Sequence, residues 1–240
     1  MFDLHKTFLD SQIVGVLSHT RELQWLAERD VQAERVANFG CYIGRETLAL
    51  MWMLGANEAV GIDKDEGAIR QARDTLTGIQ DEIKRIRRMV QHYPTETSED
   101  DKAWWYNSVP AFFKERLLQS NRITFLVADI TRSIRLPSDH YDVSYCDFVL
   151  HHIWYDSERE DAEGDTAFAV KEMARVTRPG GIVAASELVQ YSDRRRLDFQ
   201  PLFKEANLEL LCTEETETDA PEQKGVVAKY LCKKPLPSES

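Results

Sequence analysis

Long hydrophobic runs are missing from this 240-residue chain. No window approaches the roughly 20 apolar residues needed to span a bilayer, so no membrane partner is expected. The opening stretch MFDLHKTFLDSQIVGVLSH lacks the basic start and long apolar core of a secretory leader. A soluble, cytoplasmic protein is therefore expected. Cysteine is scarce too. Cys41, Cys146, Cys212 and Cys232 form no close pair of the zinc-binding or dithiol kind, and they read as reduced thiols, with no metal site expected. Positive charge is also short, with 30 Lys and Arg against 41 Asp and Glu and a formal charge of -11. That net field repels phosphates and argues against nucleic acid as a main partner. A homo-oligomer stays open.

What is present is an alternation. A hydrophobic content of 42% over this length suits one α/β domain with an embellishment. RVANF (35–39), EAVGID (58–63), RITFLVAD (122–129), YDVSYCDFVL (141–150) and GGIVAASELV (180–189) read as strands. Helical patterns lie over GRETLALMWMLGA, over a long segment from Glu66, over 165–177 and over 194–206. Two closing strands, LELLCTEET and VVAKYLCKK, follow without a helix between them. The expectation is a Rossmann-like doubly wound sheet, mostly parallel, with helices on both faces and an antiparallel C-terminal edge strand. Residues 1–34 read as an N-terminal helical cap, and 35–240 as the main domain with a helical insert at about 78–121.

The turn after the first strand, VANFGCYIG, holds only Gly40 and Gly44. In a doubly wound sheet the ligand lies at the carboxyl ends of the strands, where glycines admit close backbone approach and a helix N-terminus offers free N–H groups. Asp63 ends the second strand about 20 residues on, where a carboxylate meets ribose hydroxyls. The pair by itself fits a dehydrogenase as well, or two plain strand ends. The dinucleotide fingerprint G-x-G-x-x-G cannot be laid on GCYIGR, which disfavours a nicotinamide enzyme.

The ordered motifs VANFGCYIGRETL, VGIDKD, VADI, YDVSYCDFVLHHI and RVTRPGGIVAASE resemble those of the class I S-adenosylmethionine-dependent methyltransferases over roughly 35–187. RPGGIVAAS is the most specific part and DFVLHHI the next, the latter in a form common among members acting on small molecules. The resemblance implies S-adenosyl-L-methionine as cofactor and a small-molecule methyl acceptor. It implies that Gly40 and Gly44, with Asn38, Cys41 and Tyr42, form the turn around the cofactor's methionine part. By the same resemblance Asp63 meets the ribose, Lys64 lies beside the adenine, Asp129 takes the adenine amine near the Ile130 backbone, and the Cys146 carbonyl holds the cofactor's amino group. Two positions depart from the family pattern: Asn38 stands where an acid is usual, and Tyr42 where a glycine is usual. A negative φ is expected at Tyr42, with its ring at the pocket rim.

In-line methyl transfer depends mostly on orientation and exclusion of water, and needs a base only when the acceptor must lose a proton. His151 and His152 follow the fourth strand. Neighbouring side chains diverge, so one of them faces the cavity; His151 is the candidate base, against packing at a helix start. Trp104, Trp105, Tyr106, Phe112 and Phe113 are candidates for a lid, against plain helix packing. The KRIRR run (84–88) reads as a solvated helix face. A noncatalytic cofactor-binding subunit on the same fold is the alternative function.

Overall fold

The computed structural model describes residues 12–92, 115, 117–119, 122–156, 158, 160–191, 196–218 and 225–237. Its elements run α1 (Gln12–Ala27), β1 (Arg35–Phe39), α2 (Arg45–Met53), β2 (Glu58–Asp63), α3 (Glu66–His92), β3 (Ile123–Val127), β4 (Tyr141–Asp147), α4 (Leu150–Trp154), α5 (Ala162–Val176), β5 (Thr177–Tyr191), α6 (Gln200–Glu205), β6 (Glu209–Thr218) and β7 (Gly225–Lys233). The strands form one seven-stranded sheet in the order β3-β2-β1-β4-β5-β7-β6. β1, β4 and β5 run parallel, while β7 lies antiparallel to β5 and to β6. This is the mostly parallel, Rossmann-like sheet with antiparallel closing strands that the alternation implies. Among the described residues no helix is long and apolar enough to cross a membrane.

The chain divides into two compact units. The first comprises Met1–Glu34, Cys41–Gly61 and Asp65–Leu126. Here α1 packs on α2, and Val16, Leu23, Trp25 and Leu26 are buried. The long α3 buries Ile69, Ala72, Leu76, Ile79 and Ile83, spaced by three and four residues so that they share one face. Its opposite face is solvated: Lys84, Arg87 and Arg88 are exposed, and Lys84 pairs with Asp81 at 3.1 Å. The side chain of Arg73 donates to the Phe125 carbonyl at 2.7 Å, which ties α3 to β3.

The second unit comprises Arg35–Gly40, Ile62–Lys64 and Val127–Ser240. β4 lies between β1 and β5, with Phe39 in register with Cys146 and Cys146 with Ala185. β4, parallel to both neighbours and so covered on both faces, is buried from Tyr141 through Cys146. β5 is longer than its apolar core, taking in the Pro179-Gly180-Gly181 turn because Gly180 N–H donates to the Lys234 carbonyl and Lys234 N–H to the Gly181 carbonyl. The helix expected over 194–206 begins only at Gln200. Leu197 N–H is already bonded to the Val189 carbonyl at 2.7 Å, and Pro201 takes the first turn, where its missing N–H costs nothing. The aromatic run 104–113 lies outside the described residues.

Candidate functional site

Short backbone bonds join the carboxyl ends of neighbouring strands, β1 to β2, the residue after β3 to β2, and the residue after β4 to β5. Gly40 N–H donates to the Ile62 carbonyl at 2.8 Å, Ala128 N–H to Asp63 at 2.9 Å and Phe148 N–H to Ser186 at 2.8 Å. With the parallel β1–β4 pairing, these bonds bring Gly40, Asp63, Asp129 and the start of α4 to one end of the second unit. Gly40 has φ +76°, and a Cβ there would lie 2.2 Å from Val149 Cγ2. Only glycine satisfies both the left-handed backbone and that contact. Asn38 is fully buried and in register with Tyr145.

Asp63 is half-buried and Lys64 exposed. Asp129 Oδ1 accepts from Thr131 N–H at 3.0 Å and from its hydroxyl at 2.7 Å, while Arg132 Nε approaches Oδ2 at 3.9 Å. That carboxylate is thus fixed in direction by its own turn. Ile130 is buried beside it. Cys146 is wholly buried, and its thiol lies 3.5 Å from Glu187 Oε1.

The remaining turn residues belong to the first unit. Gly44 (φ +78°) caps α2 without a side-chain bond, and Cys41 is buried. Tyr42 corrects an expectation. Its φ is +44°, not negative, and the residue is 64% exposed. The turn kept the left-handed backbone that glycine ordinarily supplies and placed a residue with a Cβ on it, a conformation that carries a steric cost.

His151 and His152 separate as neighbouring side chains should. His151 is 5% exposed, whereas His152 is exposed. Their rings lie 4.2 Å apart, and Phe148 meets His151 edge to face at 5.7 Å. Partial burial holds His152 below the ordinary histidine pKa, with His151 and Lys64 adding to the effect and Glu187 opposing it. Burial, which disfavours the charged form, is the dominant cause.

Two residues of this end were not singled out from the sequence. Phe148 holds φ +55° between β4 and α4, the kind of backbone strain that persists where surrounding contacts over-determine it. Glu187, fully buried in β5, accepts from Val149, Leu150 and His151 N–H groups and lies 2.7 Å from His151 Nδ1. A signal existed for the second: an acid inside the apolar run GGIVAASELV demands a partner when that run is a buried strand. In the first unit, His19, Glu22 and Glu46 bring ligand-capable atoms within 4.8 Å of one another. His19 and Glu22 are an i,i+3 pair on α1 at 3.1 Å, which accounts for part of that proximity without an ion.

A methyltransferase domain model matches residues 105–185. The ribosomal protein L11 methyltransferase of Pseudomonas putida is 39% identical over 74 residues, 30% of this chain and 25% of that protein. The Escherichia coli protein of that name is 36% identical over 83 residues, 34% and 26% of the two chains. The chain thus spans about a quarter of the length of these curated relatives. Among solved structures, the 4+2 cyclase SpnF superposes with a TM-score of 0.58 at 14% identity, covering 90% of this chain and 81% of that one. The N-methyltransferase NodS of Bradyrhizobium japonicum, solved with S-adenosyl-L-homocysteine, superposes at 0.53 with 13% identity over 90% and 86%. The matched segment is similar to a methyltransferase domain, and the fold is shared with these solved structures.

Proposed function

We propose that the chain transfers a methyl group from S-adenosylmethionine to a small-molecule acceptor, in the cytoplasm. The observation that carries this reading is the strand-end set of Gly40, Asp63 and Asp129, joined by backbone bonds in one unit. That set fits the cofactor: a glycine at positive φ that turns the backbone at the strand end, and two carboxylates that accept from hydroxyl and amine groups. S-adenosylmethionine supplies an activated methyl group on a sulfonium. Asp63 is assigned to the ribose hydroxyls and Asp129, beside Ile130, to the adenine amine, with Lys64 alongside. We assign Asn38, Gly40, Cys41, Tyr42, Gly44 and the Cys146 carbonyl to the methionine part.

His151 is assigned as the base that takes a proton from the acceptor. Its 5% exposure suits an acceptor small enough to enter, and the charge of -11 disfavours the anionic surface of a ribosome. The segments 1–34 and 78–121, outside the shared motifs, are assigned to acceptor selection. A second reading, a cofactor-binding subunit without turnover, is favoured by one observation, the strained tyrosine in the turn. The test uses cofactor carrying an isotopic methyl group, offered with pooled small metabolites and separately with ribosomal proteins. Label in small-molecule products supports the proposal. Label in protein only moves the acceptor class, and none in either favours the second reading.

A further inference from the structure

Glu187 carries a buried carboxylate that must be satisfied from within the protein. Its oxygens are surrounded by donors. Oε1 accepts from Val149 N–H at 3.1 Å and Leu150 N–H at 2.9 Å, with the Cys146 thiol at 3.5 Å. Oε2 accepts from His151 N–H at 3.2 Å and lies 2.7 Å from His151 Nδ1. Amide N–H groups can only donate, so both oxygens act as acceptors here. A ring nitrogen 2.7 Å from such an oxygen must present a proton, because a lone pair facing a carboxylate is repelled.

We propose that Glu187 is the positioning residue for His151: it holds the imidazole with its proton on Nδ1 and the lone pair on Nε2, ready to receive the acceptor's proton. This rests on the reading of His151 as base. When the acceptor's proton passes to Nε2, the imidazolium formed faces the Glu187 carboxylate, which offsets its charge. The same carboxylate anchors the backbone of residues 149–151, so ring direction and main chain are set by one group. Val149, held by it, is also the side chain against which Gly40 packs.

The test is long-range proton–nitrogen NMR on the full chain with labelled histidine, near pH 8, where an ordinary imidazole is neutral. His151→Ala assigns the signal. The native chain should show His151 mainly in the Nδ1-H form, and Glu187→Gln should lose that majority. A mainly Nε2-H His151 in the native chain overturns the proposal, as does an unchanged distribution in a folded Glu187→Gln. Should that variant fail to fold, the native spectrum alone decides. S-adenosyl-L-homocysteine added to the same samples tests the cofactor reading separately. An Nδ1-H His151 whose alanine variant retains full turnover would remove the base assignment and leave the orientation intact.

Discussion

Replacing Gly40 by alanine loads the junction between β1 and α4 in two ways at once. The backbone stands at φ +76°, and the new Cβ would fall 2.2 Å from Val149 Cγ2, 3.1 Å from Cγ1 and 3.3 Å from Cβ. A residue with a Cβ in the left-handed region costs about 1–2 kcal/mol. Forcing a methyl into occupied space costs about 1–3 kcal/mol. Val149 cannot withdraw freely, because its N–H is bonded to Glu187 Oε1. The sum, about 2–5 kcal/mol, corresponds to a fall in melting temperature of roughly 5–15 °C for a chain of this length. Thermal denaturation of Gly40→Ala, Val149→Ala and the double variant separates the two contributions. In the Val149→Ala background the Gly40→Ala cost should shrink toward the backbone share of about 1–2 kcal/mol. A single variant within about 1 kcal/mol of the native protein, or an equal cost in both backgrounds, refutes the packing argument.

Tyr42→Gly should hold or raise the melting temperature. The ring is 64% exposed and the backbone already left-handed, so relief of about 1–2 kcal/mol outweighs the 0.5–1 kcal/mol of added unfolded-chain entropy, roughly estimated. A clear drop would mean that the ring is held by contacts worth more than the strain. Asp63→Ala should weaken S-adenosyl-L-homocysteine binding by about 1.5–3 kcal/mol, tenfold or more, in calorimetry; unchanged affinity in a folded variant removes Asp63 from the site. Stability should decline in urea titrations as pH rises above 9. Burial pushes the Cys232 thiol from 9.0 up to about 12 and raises the Tyr230 phenol as well, so the unfolded chain loses these protons first and folding becomes less favourable. A flat profile from pH 9 to 11 would contradict that burial.

The strand and helix alternation was legible because parallel strands buried on both faces read as apolar runs, and α3 because its apolar residues recur at three and four. Asp63 and Asp129 could be placed because each sits at the end of such a run. Glu187 could not, since its partners lie 36 to 38 residues earlier and only the β4–β5 pairing brings them together. The left-handed φ of Tyr42 was hidden for a different reason. A tyrosine ordinarily argues against that backbone, and only the turn as a whole imposes it. The late start of α6 reflects a tertiary bond from Leu197 to Val189, which no helical periodicity registers.

Calorimetric titration of the full chain with S-adenosylmethionine, S-adenosyl-L-homocysteine and a reduced nicotinamide dinucleotide tests the central claim. The strand-end set of Gly40, Asp63 and Asp129 predicts saturable binding of the first two, weakened in both cases by Asp63→Ala, and no heat from the third. Binding of the nicotinamide alone, or of none of the three, would contradict the account.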